Sequence, residues 1–204
     1  MGETLRGRTA IVTGAGRAIG AAAARALSRA GAGVVLAARD GRALEALAAR
    51  IGAAGGAVVA VPTDLSSPVS VRRLVEQTLG AFGRLDAAFN HSRAALAMRY
   101  ELPPMRLAGR GRIVNLATGP RVAELTRATA RDLAGTGVRV SAVTPAYGSA
   151  EEIADAVVRL CSEGCSDWCA DGCACSDGCG CGCADGWLRL PHASASRPDR
   201  HRLP

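Results

Sequence analysis

The sequence contains no lysine, so all 25 of its Lys and Arg side chains are arginines. Aromatic residues make up only 3% of the chain and hydrophobic residues 49%, so a core must be built mainly from Ala, Val and Leu. No apolar run reaches the ~20 residues of a membrane-spanning helix. The first 160 residues contain no cysteine, which excludes a disulfide framework across that region.

The net charge of +7 raises the question of a nucleic-acid partner. The arginines are scattered, and aromatic side chains that stack on bases are scarce, so we interpret the charge as a solvated surface. The opening stretch MGETLRGRTAIVTG has Arg6 and Arg8 where a signal peptide is apolar, and Arg6 also stands where a myristoylation motif requires Ser or Thr. We therefore expect a cytoplasmic protein with no nucleic-acid and no membrane partner.

Short apolar runs alternate with amphipathic stretches through residues 1–160. The pattern predicts strands at 9–13, 33–38, 57–61, 85–89, 112–117 and 138–143, and helices at 21–30, 42–51, 68–82, 94–108, 122–134 and 150–160. Ser67 and Ser149 are predicted helix N-caps, the second in a capping box with Glu152. This alternation predicts an α/β fold, a doubly wound Rossmann-like parallel sheet, in a single domain.

The stretch TGAGRAIG, residues 13–20, follows the first predicted strand and opens a helix. Gly14 permits a tight turn, Gly16 lets the backbone approach a pyrophosphate, and Gly20 permits close packing of helix on strand. The N-terminus of the helix adds free N–H groups and a partial positive charge. The context therefore predicts a loop that binds phosphate groups.

This Thr-headed loop resembles the T-G-x-x-x-G-x-G pattern of the short-chain dehydrogenases/reductases, with Ala18 at the middle glycine. The resemblance spans roughly residues 5–162 and includes the segments TDLSS, GRLDAAFN, GRIVNLAT and VSAVTPAYG. It implies an NAD(P)(H)-dependent oxidoreductase acting on a small alcohol or ketone. The positions it implies for cofactor binding are Thr13, Gly14, Gly16, Arg17, Ile19, Gly20, Arg39, Asp64, Leu65, Asn90 and Pro145. Family members usually pair through long helices, one of which is shortened here, so a homo-oligomer is left open.

The residue after the second strand separates the two nicotinamide cofactors. An acidic residue there bonds the ribose diol of NAD, whereas an arginine accommodates the 2′-phosphate of NADP. Arg39 follows the strand, and Arg17 in the glycine loop adds a second charge, although Asp40 is adjacent. We therefore favour NADP(H) over NAD(H), the alternative being that Arg39 is a solvated loop cation.

The reaction side of the resembled family uses a Tyr in Y-x-x-x-K as proton donor, a Ser that holds the carbonyl and a supporting Asn. Thr118 stands at the Ser position and is the candidate catalytic residue; the alternative is a strand-end Thr without catalytic duty. Only GPR separates Thr118 from the next helix, where the Tyr and Lys should lie. Tyr100 and Tyr147 cannot supply the motif, because the chain has no lysine.

A second gap follows Asn90, where the N-N-A-G of the family has become NHSR. The supporting Asn is absent with the stretch that should follow, and Pro145-Ala146 replaces Pro-Gly in the nicotinamide loop. We therefore predict a nearly complete adenine and pyrophosphate side with impaired catalysis. The alternatives are a nucleotide-binding regulator without chemistry and a shortened domain that is not stable.

All eight cysteines lie in a Cys- and Gly-rich segment, residues 161–186, and the tail 187–204 is predicted to be disordered. Dense thiolates can bind soft metals such as Zn²⁺ or Cu⁺. However, the spacing lacks paired C-x-x-C units and the filler is of low complexity. A degenerate C-terminus is the interpretation we favour, with no metal site assigned, and a metal-binding appendage or a disulfide cluster remain alternatives.

Overall fold

Strands and helices alternate along the chain in the computed structural model of the protein, which describes residues 4–145 and 148–162 and the backbone of 187–188. The strands are short apolar runs: β1 Thr9–Thr13, β2 Gly33–Ala38, β3 Val58–Pro62, β4 Ala87–Asn90, β5 Gly111–Leu116, β6 Val138–Val143 and β7 Trp187–Leu188. The helices are amphipathic: α1 Ala18–Arg29, α2 Gly41–Ala53, α3 Pro68–Phe82, α4 Ala94–Leu107, α5 Pro120–Asp132 and α6 Ala150–Cys161.

The strands form one parallel sheet in the order β3-β2-β1-β4-β5-β6-β7. The order reverses between β1 and β4, because the chain adds strands outward on one side and then returns past β1 through α3. In an open α/β sheet, the crevice at such a reversal lies outside the carboxyl ends of the strands and binds ligands. The predicted doubly wound Rossmann-like fold is therefore confirmed.

Two apolar layers cover the sheet. One face packs against α1, α2 and α6, and the other against α3, α4 and α5. Alanines dominate the buried face of α1, which lets α6 approach closely. Phe89 is the one aromatic side chain among the fully buried residues of the described chain, as the low aromatic content leads one to expect.

Helix ends are well predicted where a side chain caps them. Ser67 accepts a hydrogen bond from the Ser70 N–H, and Ser149 forms the predicted capping box with Glu152. In contrast, α1 begins at Ala18 rather than residue 21, because Arg17 occupies the N-cap without a side-chain hydrogen bond and leaves no cap signal in the sequence.

Three arginines surround the carboxylate of Asp86 at the edge of the sheet opposite the crevice. Its carboxylate accepts two hydrogen bonds of 2.6 Å from Arg84 and lies 3.5 Å from both Arg8 and Arg110. The N–H of Thr9 donates a further bond of 2.9 Å. Burial alone would raise the pKa of Asp86, but these donors hold it below its ordinary value. Part of the scattered basic charge therefore has a structural role.

Candidate functional site

The candidate residues lie at the carboxyl ends of the strands, on one edge of the sheet. Thr13 ends β1 and Asn90 ends β4, and the two are register partners. Arg39 follows β2 directly, and Asp64 comes two residues after β3. The parallel sheet therefore brings together residues that are far apart in the sequence.

The glycine loop makes a tight turn from β1 into α1. Gly14 has φ of 69°, a left-handed conformation that favours glycine, and a Cβ there would lie 2.7 Å from the Cβ of His91. A Cβ on Gly20 would overlap the carbonyl oxygen of Gly14. Gly16 is different, because its added Cβ would make only ordinary contacts at 3.7 and 3.8 Å with two alanines. The fold of the chain therefore requires glycine at positions 14 and 20. It does not require glycine at position 16, where the absence of a side chain leaves the surface of the loop open.

The N-terminus of α1 has the features of an anion site. No side chain caps it and its first turn contains no acidic residue. Ala18, the residue in place of the middle glycine, is the first residue of the helix and is exposed. The free N–H groups and the helix dipole therefore face the loop without an internal negative partner.

A cleft of about 330 Å³ opens beside this loop. Three arginines from three separate connections line it, and we call it the three-arginine cleft after Arg17, Arg39 and Arg93. The predicted positions Asp64 and Leu65 lie on its wall. The rest of its lining is Gly14, Gly16, Ala38, Asp40, Thr63, Ser66 and Ser92.

The two acidic residues of the cleft are occupied by local hydrogen bonds. Asp40 caps α2 by accepting from the Ala43 N–H at 3.2 Å. Asp64 accepts from the hydroxyl and the N–H of Ser66, at 2.7 and 2.9 Å. Within the described chain, none of the three arginines lies within 4 Å of a carboxylate. The cleft therefore offers three guanidinium groups to an anion.

A buried polar network, Asn90, Glu101, Asn115 and Thr126, lies beneath the ends of β4 and β5. Asn90 donates to Glu101 Oε2 at 2.9 Å and to Asn115 Oδ1 at 3.2 Å. Asn115 donates to the Thr126 hydroxyl at 3.0 Å. The Thr13 hydroxyl lies 3.3 Å from the Phe89 carbonyl and accepts from the His91 N–H at 3.0 Å. The side chains of Thr13 and Asn90, both predicted to bind cofactor, are thus held inside the protein.

Glu101 is the buried carboxyl of this network and was not anticipated from the sequence. It is 1% exposed, and among the described residues nothing donates to its second oxygen, Oε1. Burial raises its pKa from 4.5 to about 7, against the opposing hydrogen bond from Asn90. The available signal was its position on α4, because Ala94, Ala97, Met98 and Met105 are the other buried residues of that helix.

The residues predicted for the reaction lie on the connections that follow β5 and β6. Thr118 is exposed and lies between the end of β5 and the start of α5 at Pro120. Only Gly119 separates it from the helix. Pro145 is half-buried two residues after β6, and the adjoining Ala146 and Tyr147 lie outside the described residues. Tyr100 is half-buried on α4, with the Arg99 guanidinium 6.0 Å from its ring centre. Thr118 therefore has no tyrosine or lysine on its own connection.

The predicted position Ile19 and the residue His91 have partly structural surroundings. Ile19 is half-buried and packs against the core beneath α1. His91, packed against Gly14, has its pKa lowered by burial and by the charge of Arg17. Arg93 and Ser92 were missed as cleft residues, because their place depends on where α4 begins.

Most of the Cys- and Gly-rich segment, for which a metal-binding appendage was one alternative, lies in residues 163–186, outside the described residues. Cys161 is described and is buried at the end of α6, where burial raises its pKa to about 12. The described ranges contain no group of three or more His, Cys, Asp or Glu side chains arranged to hold a metal ion. Nor do they contain a helix long and apolar enough to cross a membrane.

A family model, a curated relative and a solved structure all match this chain to short-chain dehydrogenases or related oxidoreductases. The family model for short chain dehydrogenase matches residues 8–95. The cis-4-hydroxycyclohexanecarboxylate dehydrogenase of Sinomonas cyclohexanicum is 32% identical over 189 residues, covering 72% of this chain and 76% of that protein. The solved structure of a metagenomic short-chain oxidoreductase in complex with NADP superposes with a TM-score of 0.74 at 30% identity, over 78% of this chain and 92% of that one.

Other matches cover less of the relative's length. An uncharacterised oxidoreductase of Methylorubrum extorquens is 46% identical over 89 residues, which is 43% of this chain and 36% of that protein. For two further curated relatives, the chain covers 32% and 64% of the relative's length. The family-model match, at residues 8–95, lies in the half of the fold that carries the glycine loop.

Proposed function

Because the chain belongs to the short-chain dehydrogenase family, we propose that it binds NADP(H) in the three-arginine cleft. We further propose that its chemistry is oxidoreduction of a small alcohol or ketone with an impaired proton-transfer step. The observation that carries the first part is the cleft itself, because none of its three guanidinium groups lies within 4 Å of a carboxylate of the described residues. When bound, the cofactor supplies or accepts the hydride.

The residues present fit this cofactor at its phosphate end. The uncapped N-terminus of α1 and the open backbone at Gly16 suit the pyrophosphate. Arg39 suits the 2′-phosphate, because a guanidinium bonds phosphate oxygens in pairs. Asp40, which would otherwise favour the ribose diol of NAD, is engaged as the N-cap of α2. These features support NADP(H) rather than NAD(H).

The substitution Arg39→Asp tests the cofactor choice. It should weaken NADPH binding at least about tenfold, because a charge-assisted bond is lost and a repulsion is added, while NADH binding changes little. Titrations of nucleotide fluorescence measure both constants. Arg50→Gln, in the last turn of α2, is the matched control for loss of one surface arginine. Equal losses for the two nucleotides would refute the NADP(H) assignment.

The impaired chemistry is supported by the connection after β5. General acid catalysis requires a proton donor within hydrogen-bond reach of the substrate oxygen, and it contributes about 10²–10⁴-fold. Here α5 starts at Pro120, directly after Thr118 and Gly119, where the resembled family has its Tyr and Lys. We therefore expect NADPH to bind but to be consumed slowly.

A turnover assay separates an impaired enzyme from a nucleotide-binding protein without chemistry. NADPH oxidation is followed at 340 nm with a panel of small ketones, beside a family member that has Tyr-x-x-x-Lys. Slow, ketone-dependent oxidation that Thr118→Val abolishes would support residual chemistry. Binding without any ketone-dependent oxidation would favour the non-catalytic alternative, and a rate equal to that of the reference enzyme would refute the impairment.

A further inference from the structure

The backbone at Arg93 is unusual within the described chain. Arg93 is the one non-glycine described residue with positive φ, at φ 55° and ψ 35°. In the N-N-A-G motif that NHSR resembles, this position belongs to glycine, which adopts such angles freely. A bulky side chain therefore occupies a left-handed position, and it lines the three-arginine cleft.

We propose that Arg93 is a specificity-determining residue of this cleft, where it binds the 2′-phosphate of NADP(H) together with Arg39. The inference rests on the proposed NADP(H) binding. It assigns to the connection after β4 a phosphate contact that the glycine of the resembled motif has no side chain to make.

Arg39 and Arg93 both line the cleft beside Asp64. The pKa of Asp64 is lowered first by hydrogen bonds from Ser66 and then by the positive charges of Arg39 and Arg93. The charge of Arg17, in contrast, acts on His91 beside the glycine loop. Arg93 therefore lines the same cleft as Arg39, and both charges act on the same carboxylate of its wall.

The chemistry of the position also favours a phosphate. A phosphomonoester carries a charge close to −2 at neutral pH, and two guanidinium groups can neutralise it with paired hydrogen bonds. The N-terminus of α4, which begins at Ala94 directly after Arg93, has no acidic residue in its first turn. No negative group on that turn therefore competes for the Arg93 side chain.

The test uses two mononucleotides that differ only in the position of the phosphate, adenosine 2′-monophosphate and adenosine 5′-monophosphate. Calorimetric titration is carried out with the full chain and with Arg93→Gly, which removes the side chain and fits the left-handed backbone, so it should fold at least as well. Arg93→Gly should weaken binding of the 2′-nucleotide about tenfold and of the 5′-nucleotide less than twofold. Arg93→Lys, which retains the charge, should recover part of the difference.

Arg99→Gln removes an exposed arginine from α4, the helix that follows Arg93, and is the matched control. Equal weakening of both nucleotides by Arg93→Gly, or no weakening of either, would overturn the assignment of Arg93 while leaving NADP(H) binding intact. If the unchanged chain binds neither NADPH nor the 2′-nucleotide, the proposed function itself fails. Thermal unfolding of each variant shows that the comparison is made on folded protein.

Discussion

Glu101→Gln tests the effect of a buried carboxyl. Among the described residues, Glu101 is the one buried carboxyl that has no charged partner in a hydrogen bond or an ion pair. In the folded chain the carboxyl has one hydrogen bond, from Asn90, and its Oε1 has none. Below the pKa the side chain is neutral and resembles the amide that replaces it. Above the pKa the folded protein must hold a buried negative charge, which the variant never does.

The magnitude follows from the difference in pKa between the two states. The pKa of Glu101 rises from 4.5 to about 7 on folding, because burial disfavours the charged form. Between these values the unfolded chain has lost its proton while the folded chain keeps it, so stability falls as pH rises. Stability linked to Glu101 is fully present below 4.5 and is lost by about pH 7. The difference corresponds to roughly 3 kcal/mol.

Urea denaturation followed by circular dichroism measures this effect at pH 5, 6, 7 and 8. The free energy of unfolding of Glu101→Gln relative to the unchanged chain should rise by roughly 2–3 kcal/mol across this range, because part of the difference is already present at pH 5. Titration of His91 is common to both proteins and cancels in the difference. Glu124→Gln makes the same change at an exposed position of α5 and is the control. A difference for Glu101→Gln that stays constant with pH would refute the reasoning, because it would mean that water or a donor reaches the carboxylate.

Two further predictions concern the edge opposite the crevice and the glycine loop. Asp86→Asn should lower the free energy of unfolding by about 2–3 kcal/mol at pH 7, because three arginines lose their shared carboxylate. That stability is present above the ordinary pKa of 3.8 and is lost as pH falls. The free energies of unfolding of Asp86→Asn and of the unchanged chain should therefore approach each other in acid, and a difference that persists there would contradict the prediction. Gly20→Ala should cost about 1–3 kcal/mol through overlap with the Gly14 carbonyl, whereas Gly16→Ala should leave the melting temperature nearly unchanged and weaken NADPH binding. Similar melting temperatures for the two glycine variants would disprove the assigned roles.

The fold was predictable because its signals are local and agree with one another. The strands β1, β2 and β6 begin and end at the predicted residues, since each is a short stretch rich in Val, Ala or Ile that a glycine or a polar residue bounds. The start of α3 was also predictable, because Ser67 caps it and Pro68 suits the first helical position. Where no cap exists, as at Arg17, the predicted boundary was three residues late.

The candidate site was predictable only in part. Arg17, Arg39 and Asp64 lie on the connections that follow β1, β2 and β3, so the parallel topology alone brings them to one edge. Arg93 depends instead on a single left-handed residue before α4, and no sequence pattern signals that an arginine adopts it. Glu101 falls at helical spacing with the other buried residues of α4, but a charged residue at such a position is usually exposed, so its burial was clear only from the packing of α4 over β4 and β5.

The fold and the chemistry respond differently to the short connections after β4 and β5. The sheet needs only that β4, β5 and β6 pair and that helices cover their faces, and α4 and α5 still supply 14 and 13 residues for this. Catalysis needs particular side chains within hydrogen-bond reach of one substrate atom, and those side chains belong to the connections that are short here. Shortening a connection therefore costs the sheet little, because strand pairing and face packing do not pass through it. Under the proposed function, the same shortening leaves no Tyr or Lys between Thr118 and the start of α5 at Pro120. We therefore expect a chain that keeps its parallel sheet and binds its cofactor far better than it turns it over.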